Sequence, residues 1–162
     1  MGELHQSDSS VQSSAESAIV EALGAQLQLN LVPGGTLKLA GGASIQLDAR
    51  SDDGSVAVEA YARQGVLRGG QLKKIAQDIL KLALLRAEPE HKDVRPIIVF
   101  ASEEARSSVK GWLRQAADTF GVELHVVELD DALRAQIVAV QDRQKMTNVA
   151  LPAVVGDLTV ED

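Results

Sequence analysis

The stretch SIQLDARSDDGSVAVEAYAR, residues 44–63, carries the pattern of two strands joined by a tight turn. Apolar and polar side chains alternate on both sides of Asp53-Gly54, as they do in strands with one buried face. Asp-Gly is a strong hairpin signal, because a two-residue type I′ turn needs positive φ at both central positions. With this turn, Asp48 lies directly opposite Glu59 on the polar side of the hairpin.

Helical and strand-like periods continue on both sides of the hairpin. Ser13 and Glu16 have the spacing of a capping box, which predicts a first helix from Ser13 to about Leu31. The pattern then predicts a strand–strand–strand meander, followed by a helix, a buried strand, a helix, a strand and a last helix. The predicted ranges are a strand at 36–40, strands at 44–50 and 55–63, a helix at 70–86, a strand at 97–101, a helix after Ser102 with Trp112 and Phe120 on its apolar face, a strand at 123–129 and a helix after Asp130.

This order, α-β-β-β-α-β-α-β-α, predicts an α/β protein with three α/β/α layers around a mixed sheet. The length of 162 residues suits one domain, and 45% apolar residues can fill its core. We expect a short disordered arm at 1–12, the domain at 13–148 and an irregular tail at 149–162.

The composition limits the compartment and the partners. The chain has no cysteine, which excludes disulfides and thiolate metal sites and makes the cytoplasm the expected location. It shows neither a signal peptide nor an apolar stretch long enough to span a membrane, so we expect a soluble protein. The net charge of −7 argues against coating nucleic acid by bulk electrostatics. One segment, residues 59–86, carries a net charge of +4, and its basic residues alternatively form only a solvated helix face.

Two opposed carboxylates repel each other, so Asp48 and Glu59 need a compensating charge. Mg²⁺ supplies one, since it is commonly held by one or two carboxylates together with water and phosphate oxygens. Alternatively both carboxylates face solvent, where the repulsion is screened. A three-residue loop would also separate them, because it would pair Asp48 with Val58 or Ala60.

The helix, the meander with Asp48 and the Glu59-Ala60-Tyr61 segment, followed by a helix and a buried strand, resemble the αβββαβ core of the restriction-endonuclease-like, or PD-(D/E)XK, nucleases. The resemblance covers residues 13–101 and leaves the last αβα as an addition. It implies that Asp48 and Glu59 bind Mg²⁺ and that the residue at position 61 assists catalysis. That residue is a lysine in the family and Tyr61 here, which lacks the positive charge near pH 7.

The resemblance also implies substitutes for the missing lysine. Some members of the family carry the basic residue on the following helix, where Lys73 or Lys74 could reach back, with Gln71 and Gln77 as polar accessories. The first helix of the family often adds a glutamate, and Glu21 fits better than Glu16, which has a capping role.

A phosphate group would suit the start of the second helix, where Gly69 and Gly70 lie. Arg63 and Arg68, on the segment before this helix, are further candidates to bind it.

Three functions remain open from the sequence. The first is a metal-dependent DNA endonuclease that hydrolyses phosphodiesters with Mg²⁺ on Asp48 and Glu59. The second is a catalytically inactive module of the same fold that binds DNA or protein. The third is a structural or regulatory oligomer, such as a homodimer, assembled through the last helix.

Overall fold

A computed structural model describes the backbone of residues 2–150 and the side chains of residues 8–147. The predicted tail at 149–162 therefore lies almost wholly outside the described residues. The elements are α1 (Gly2–Leu27), β1 (Leu31–Lys38), β2 (Ser44–Ser51), β3 (Val56–Tyr61), α2 (Gly70–Ala87), a 3-10 turn (Pro89–His91), β4 (Arg95–Phe100), α3 (Glu103–Ser107), α4 (Gly111–Thr119), β5 (Glu123–Val126) and α5 (Asp131–Ala150).

The five strands form one mixed, open sheet in the order β1-β2-β3-β4-β5. The pairs β1–β2 and β2–β3 are antiparallel, whereas the pairs β3–β4 and β4–β5 are parallel. Each parallel connection crosses over through helices, α2 between β3 and β4, and α3 with α4 between β4 and β5. The described part of the chain is thus the mixed α/β protein that the sequence predicts.

Each face of the sheet has its own hydrophobic core. On one face, Ile98 and Phe100 of β4 belong to a cluster with the apolar residues of α2, α3 and α4. On the other, Ile97 and Val99 pack with residues of α1 and α5. Alternate residues of the strand enter opposite clusters because side chains of a strand alternate in direction. This arrangement is compatible with three α/β/α layers.

The hairpin has the predicted register but a different turn. Ala49 pairs with Val58, and Arg50 with Ala57, so the same register places Asp48 opposite Glu59. Among the described residues only Gln28 is a non-glycine with positive φ, so Asp53 is not in the left-handed region and the type I′ turn is wrong. The loop instead spans residues 52–55, with Gly54 at φ 76°. A loop longer by one residue at each end preserves the register.

The helices differ from the prediction in three ways. α1 begins at Gly2 and ends at Leu27, so Ser13 lies inside the helix and is not its cap. The helix predicted after Ser102 is two helices, α3 and α4, separated by residues 108–110, and α4 begins at Gly111 with φ 59°. Trp112 is 75% exposed and Phe120 is 48% exposed, so the prediction that both lie on a core-facing side is wrong.

The apolar face of the last helix packs inward. Ile137 and Val140 of α5 are buried, and Ile137 belongs to the core that α1 also covers. Both side chains therefore contribute to the packing of α5 within the same chain. No helix within the described residues combines the length and apolar character needed to cross a membrane.

Candidate functional site

The candidate site lies at the place where the pairing of β2 with β3 ends. The carbonyls of Ser55 and Tyr61 accept hydrogen bonds from the β4 side, so the amides of the even-numbered residues of β3 face β2. The paired register of these two strands covers only Ala49 and Arg50 of β2. Beyond it, the Ala60 N–H donates to Asp48 Oδ2 at 2.8 Å. The carboxylate of Asp48 therefore lies between β2 and β3 where their pairing ends, and it accepts the hydrogen bond of the Ala60 amide.

Glu59 is buried beside a lysine that the sequence did not single out. The residue is 4% exposed, and its Oε1 lies 2.5 Å from Lys81 Nζ. Lys81 also donates to the Gln46 carbonyl at 2.9 Å and lies 3.3 Å from Asp78 Oδ1. Lys81 of α2 thus brings a positive charge to the carboxyl group of Glu59 in β3.

Tyr61 holds the other side of this cluster. Its hydroxyl donates a hydrogen bond to Asp78 Oδ2, and its ring stacks on Phe100 with centroids 5.7 Å apart. Lys74 Nζ lies 5.1 Å from the centroid of the tyrosine ring. Burial, followed by the hydrogen bond and charge of Asp78, raises the pKa of Tyr61 above its ordinary value. Tyr61 therefore stays neutral and fixes Asp78, which in turn contacts Lys81.

The electrostatics of the cluster are dominated by the burial of Glu59. Loss of hydration raises the pKa of Glu59 to about 8, with Lys81 lowering it and Asp48 raising it. Burial lowers the pKa of Lys81, but its interactions with Glu59 and Asp78 outweigh this and raise it overall. Lys81 is thus a stable cation, whereas Glu59 retains a proton close to neutral pH.

Glu16 of α1 also lies near Asp48. Burial, followed by the charge of Asp48, raises the pKa of Glu16. Glu16, Glu21 and Asp48 all line one cavity of about 530 Å³ between α1 and the start of the sheet. Glu16 is inside α1 and has no capping role, so the reason for preferring Glu21 as the accessory glutamate is wrong.

The remaining sequence candidates lie in different places. Lys73 and Gln77 are exposed on α2, and Gln71 Oε1 accepts from the Arg68 amide at 3.1 Å. Gly69 and Gly70 form the start of α2, where Gly69 has φ 51°. Arg63 and Lys74 line a second cavity with Tyr61. The basic residues of segment 59–86 are therefore spread over separate locations. Among them, Lys81 is the one that forms an ion pair with Glu59.

The donor set of the cluster is compatible with a hard cation. Asp48 and Glu59 offer carboxylate oxygens, and Mg²⁺ is often held by two such groups with water and substrate completing the shell. Across the described residues, no three side chains of histidine, cysteine, aspartate or glutamate form a group that could hold a metal by themselves. Any metal here would therefore depend on water and a ligand for most of its coordination.

A helical spacing in the sequence could have identified the missed residues. Lys74, Asp78 and Lys81 are separated by four and three positions, which places them on one face of α2. The signal is that this polar row lies on the side of the helix that also carries Ile75 and Ile79. A polar residue within an apolar helix face, such as the buried Asp78, predicts polar partners on a neighbouring element.

The fold and the cluster together define a mixed α/β protein with an acidic and lysine cluster at the opening of an antiparallel hairpin. A comparison with family models finds no match. The curated proteins and the solved structures likewise contain no match to the chain.

Proposed function

We propose that the protein is a metal-dependent nuclease that hydrolyses phosphodiesters, with the cluster of Asp48, Glu59 and Lys81 as its active site. The observation that carries the proposal is the 2.5 Å contact between Lys81 Nζ and Glu59 Oε1. Lys81 supplies at the cluster the positive charge that Tyr61 cannot provide. The sheet order supports the same proposal, because an antiparallel β1-β2-β3 meander is followed by α2 and a parallel β4.

Each residue of the cluster has a distinct role in this proposal. Asp48 is exposed and can meet a ligand from solvent, whereas Glu59 closes the site from inside the fold. A bound Mg²⁺ would lower the pKa of a coordinated water and stabilise charge on a phosphate. Lys81 orients the attacking water and neutralises part of that charge. Asp78 and Tyr61 keep the lysine in position.

A second function, an inactive module of similar architecture, is favoured by one observation. Lys81 already contacts three acceptors, on Glu59, Asp78 and Gln46. The ammonium group is thus held between two carboxylates and a backbone carbonyl, so the cluster braces α2 against the hairpin. Such a protein would bind DNA or another protein without cleaving it.

Cleavage assays on plasmid and single-stranded DNA with Mg²⁺ or Mn²⁺ separate the two functions. We expect cleavage by the wild-type protein and a loss of about 100-fold in Glu59→Gln, which removes a carboxylate that would hold the metal, and in Lys81→Met, which removes a cation that the transition state needs. Lys92→Met is the matched control, because it removes an exposed lysine far from the cluster. Circular dichroism shows whether the variants remain folded.

The absence of cleavage with either metal, together with no metal-induced change in melting temperature, would overturn the nuclease. DNA binding that persists in Glu59→Gln without cleavage by the wild-type protein would establish the inactive module instead. Cleavage that is unchanged in both Glu59→Gln and Lys81→Met would show that the activity belongs to a different site.

A further inference from the structure

A cavity of about 290 Å³ adjoins the cluster at the carboxyl end of β3. It lies between α1, α2 and α5, and we name it the β3 pocket. Tyr61 and Glu16 belong both to its lining and to the surroundings of Asp48 and Glu59. Ligands of open α/β sheets commonly bind beyond the carboxyl ends of parallel strands, and β3 runs parallel to β4. The pocket is thus placed to hold the part of a substrate next to its reacting bond.

The lining of the β3 pocket carries two cationic side chains. Arg63 and Lys74 both line it, and Glu16 is its one acidic lining residue. Among the described side chains, neither Arg63 nor Lys74 forms an ion pair. Arg63 is half-buried, so its charge is less screened than that of a fully exposed arginine. The charge of Lys74 acts on Glu16, but two cations against one carboxyl group leave the lining with a net positive charge that suits a phosphate group.

α5 gives the pocket an apolar wall, and carboxamide side chains also line the pocket. Ile137 and Val140 of α5 are buried and line it, together with the half-buried Val11. Gln71 and Gln144 also line it. Gln71 uses its oxygen to accept from the Arg68 amide, which leaves its NH₂ group to donate. An apolar wall bordered by carboxamides suits a flat heterocycle that carries donors and acceptors.

The position of α5 against the pocket is fixed by a reciprocal pair of hydrogen bonds. Gln141 Oε1 accepts from the Gln64 amide at 2.9 Å, and Gln141 Nε2 donates to the Gln64 carbonyl at 3.1 Å. Gln64 Nε2 donates in turn to the Ala101 carbonyl at 3.0 Å. The apolar wall is therefore tied to the segment that carries Arg63. A preformed cavity of this kind loses little freedom on binding a ligand.

We propose that the β3 pocket binds one unpaired nucleotide, with its phosphate at Arg63 and Lys74 and its base against the wall of α5. Its volume of about 290 Å³ is at the lower end of the range of ligand pockets, about 300–1,000 Å³, which suits one nucleotide better than a base pair. The proposal rests on the nuclease function and narrows its substrate to single strands, frayed ends or flaps, in which a base is free to enter. Duplex DNA without such a region would not reach the cluster.

Titration calorimetry without metal tests the pocket directly, with deoxyadenosine monophosphate, deoxyadenosine and inorganic phosphate as ligands. We expect the nucleotide to bind at least about tenfold more tightly than either of its parts, since it alone contacts both the cationic residues and the apolar wall of the pocket. Lys74→Ala should weaken the nucleotide by about tenfold, and Gln144→Trp should abolish its binding by filling the cavity. Lys92→Ala and Gln136→Trp are the matched controls, because both residues are exposed and lie outside the lining.

Phosphate binding as tight as nucleotide binding would overturn the proposal, and so would equal affinities in Gln144→Trp and Gln136→Trp. The metal-free measurement also separates this proposal from the nuclease. Nucleotide binding that is lost in Gln144→Trp supports the pocket even when no DNA is cleaved. Cleavage without detectable nucleotide binding overturns the pocket and leaves the nuclease intact.

Discussion

At the scale of single residues, the balance of charge around Glu59 decides how the protein responds to pH. The buried carboxyl group is 4% exposed and lies between a cation, Lys81, and a second carboxylate, Asp48. Burial and Asp48 favour the protonated form, while Lys81 favours the ionised form. Because burial is the largest of these effects, a proton occupies the place that a metal would take in the proposed enzyme. Metal binding should therefore release a proton.

The stability of the protein should fall as the pH rises from about 5 to about 8.5. Glu59 has a pKa of about 8 in the folded state against an ordinary value of 4.5, so between these values the folded chain holds a proton that the unfolded chain has lost. Protonation then favours folding, and its loss lowers the free energy of unfolding on the order of 3 kcal/mol. Urea denaturation of the wild-type protein and Glu59→Gln at both pH values measures this change.

The variant serves as the reference for other titrating groups. Glu16 also has a raised pKa and contributes in the same direction, so the difference between the two proteins isolates Glu59. The raised pKa of Lys81 changes stability only at pH values near or above the ordinary lysine pKa of 10.5, outside this window. The same dependence on pH in both proteins would contradict the shifted pKa of Glu59.

The residues of the cluster were predictable to different degrees. Asp48 and Glu59 follow from counting along two alternating strands, because the period of two fixes which side chains share a face. The contact of Lys81 with Glu59 depends on the rotation of α2 and on its distance from the sheet. These are set by the packing of Ile75, Ile79 and Leu82 against the sheet, which no local pattern specifies.

At the scale of secondary-structure elements, the close approach of β1 and β2 holds Asp48 in place. Pro33 pairs with Ala49 and Gly35 with Leu47, so Gly34 lies opposite Asp48. A Cβ atom on Gly34 would lie 2.6 Å from Leu47 Cβ and closer still to the Leu47 carbonyl oxygen. Only glycine allows the two strands to approach this closely.

Gly34→Ala should therefore destabilise the protein by about 1–3 kcal/mol, the usual cost of forcing extra volume into packed structure. It should also weaken any metal binding at Asp48, because β1 must move away from β2 beside this residue. Urea denaturation and metal titration measure the two effects. Gly41→Ala is the control, since a Cβ there meets nothing within 4 Å. Equal stability of the two variants would contradict a tight contact at Gly34.

The order of the elements was predictable because hydrophobic period and turn residues are local signals. The hairpin register was also predictable, since both a two-residue and a four-residue loop centred on Asp53-Gly54 pair the same residues. The interruption between α3 and α4 was not, although Gly111 marks it. A single glycine is tolerated inside many helices, and only tertiary packing selects a break at this position.

At the scale of the whole molecule, the charge distribution limits how nucleic acid can bind. The chain carries a net charge of −7, and the basic segment is divided between separate locations. Lys81 is engaged in the cluster, and Arg86 donates to the Phe120 carbonyl on another side of α2. Arg63 and Lys74 at the β3 pocket, with the exposed Arg68 and Lys73, remain for phosphate contacts. The protein thus offers a small cationic surface on an acidic body.

Binding of a single-stranded oligonucleotide should accordingly depend only modestly on salt. Two to four neutralised phosphates give a slope of log K against log salt concentration of about −1.5 to −3, since each contact on a single strand contributes about −0.7. Fluorescence anisotropy with a labelled oligonucleotide across a salt series measures this slope. Arg63→Ala should make it shallower by about 0.7, and Lys92→Ala should leave it unchanged. A slope steeper than about −6 would require far more phosphate contacts than this surface can supply, and it would contradict binding through a single short strand at the β3 pocket.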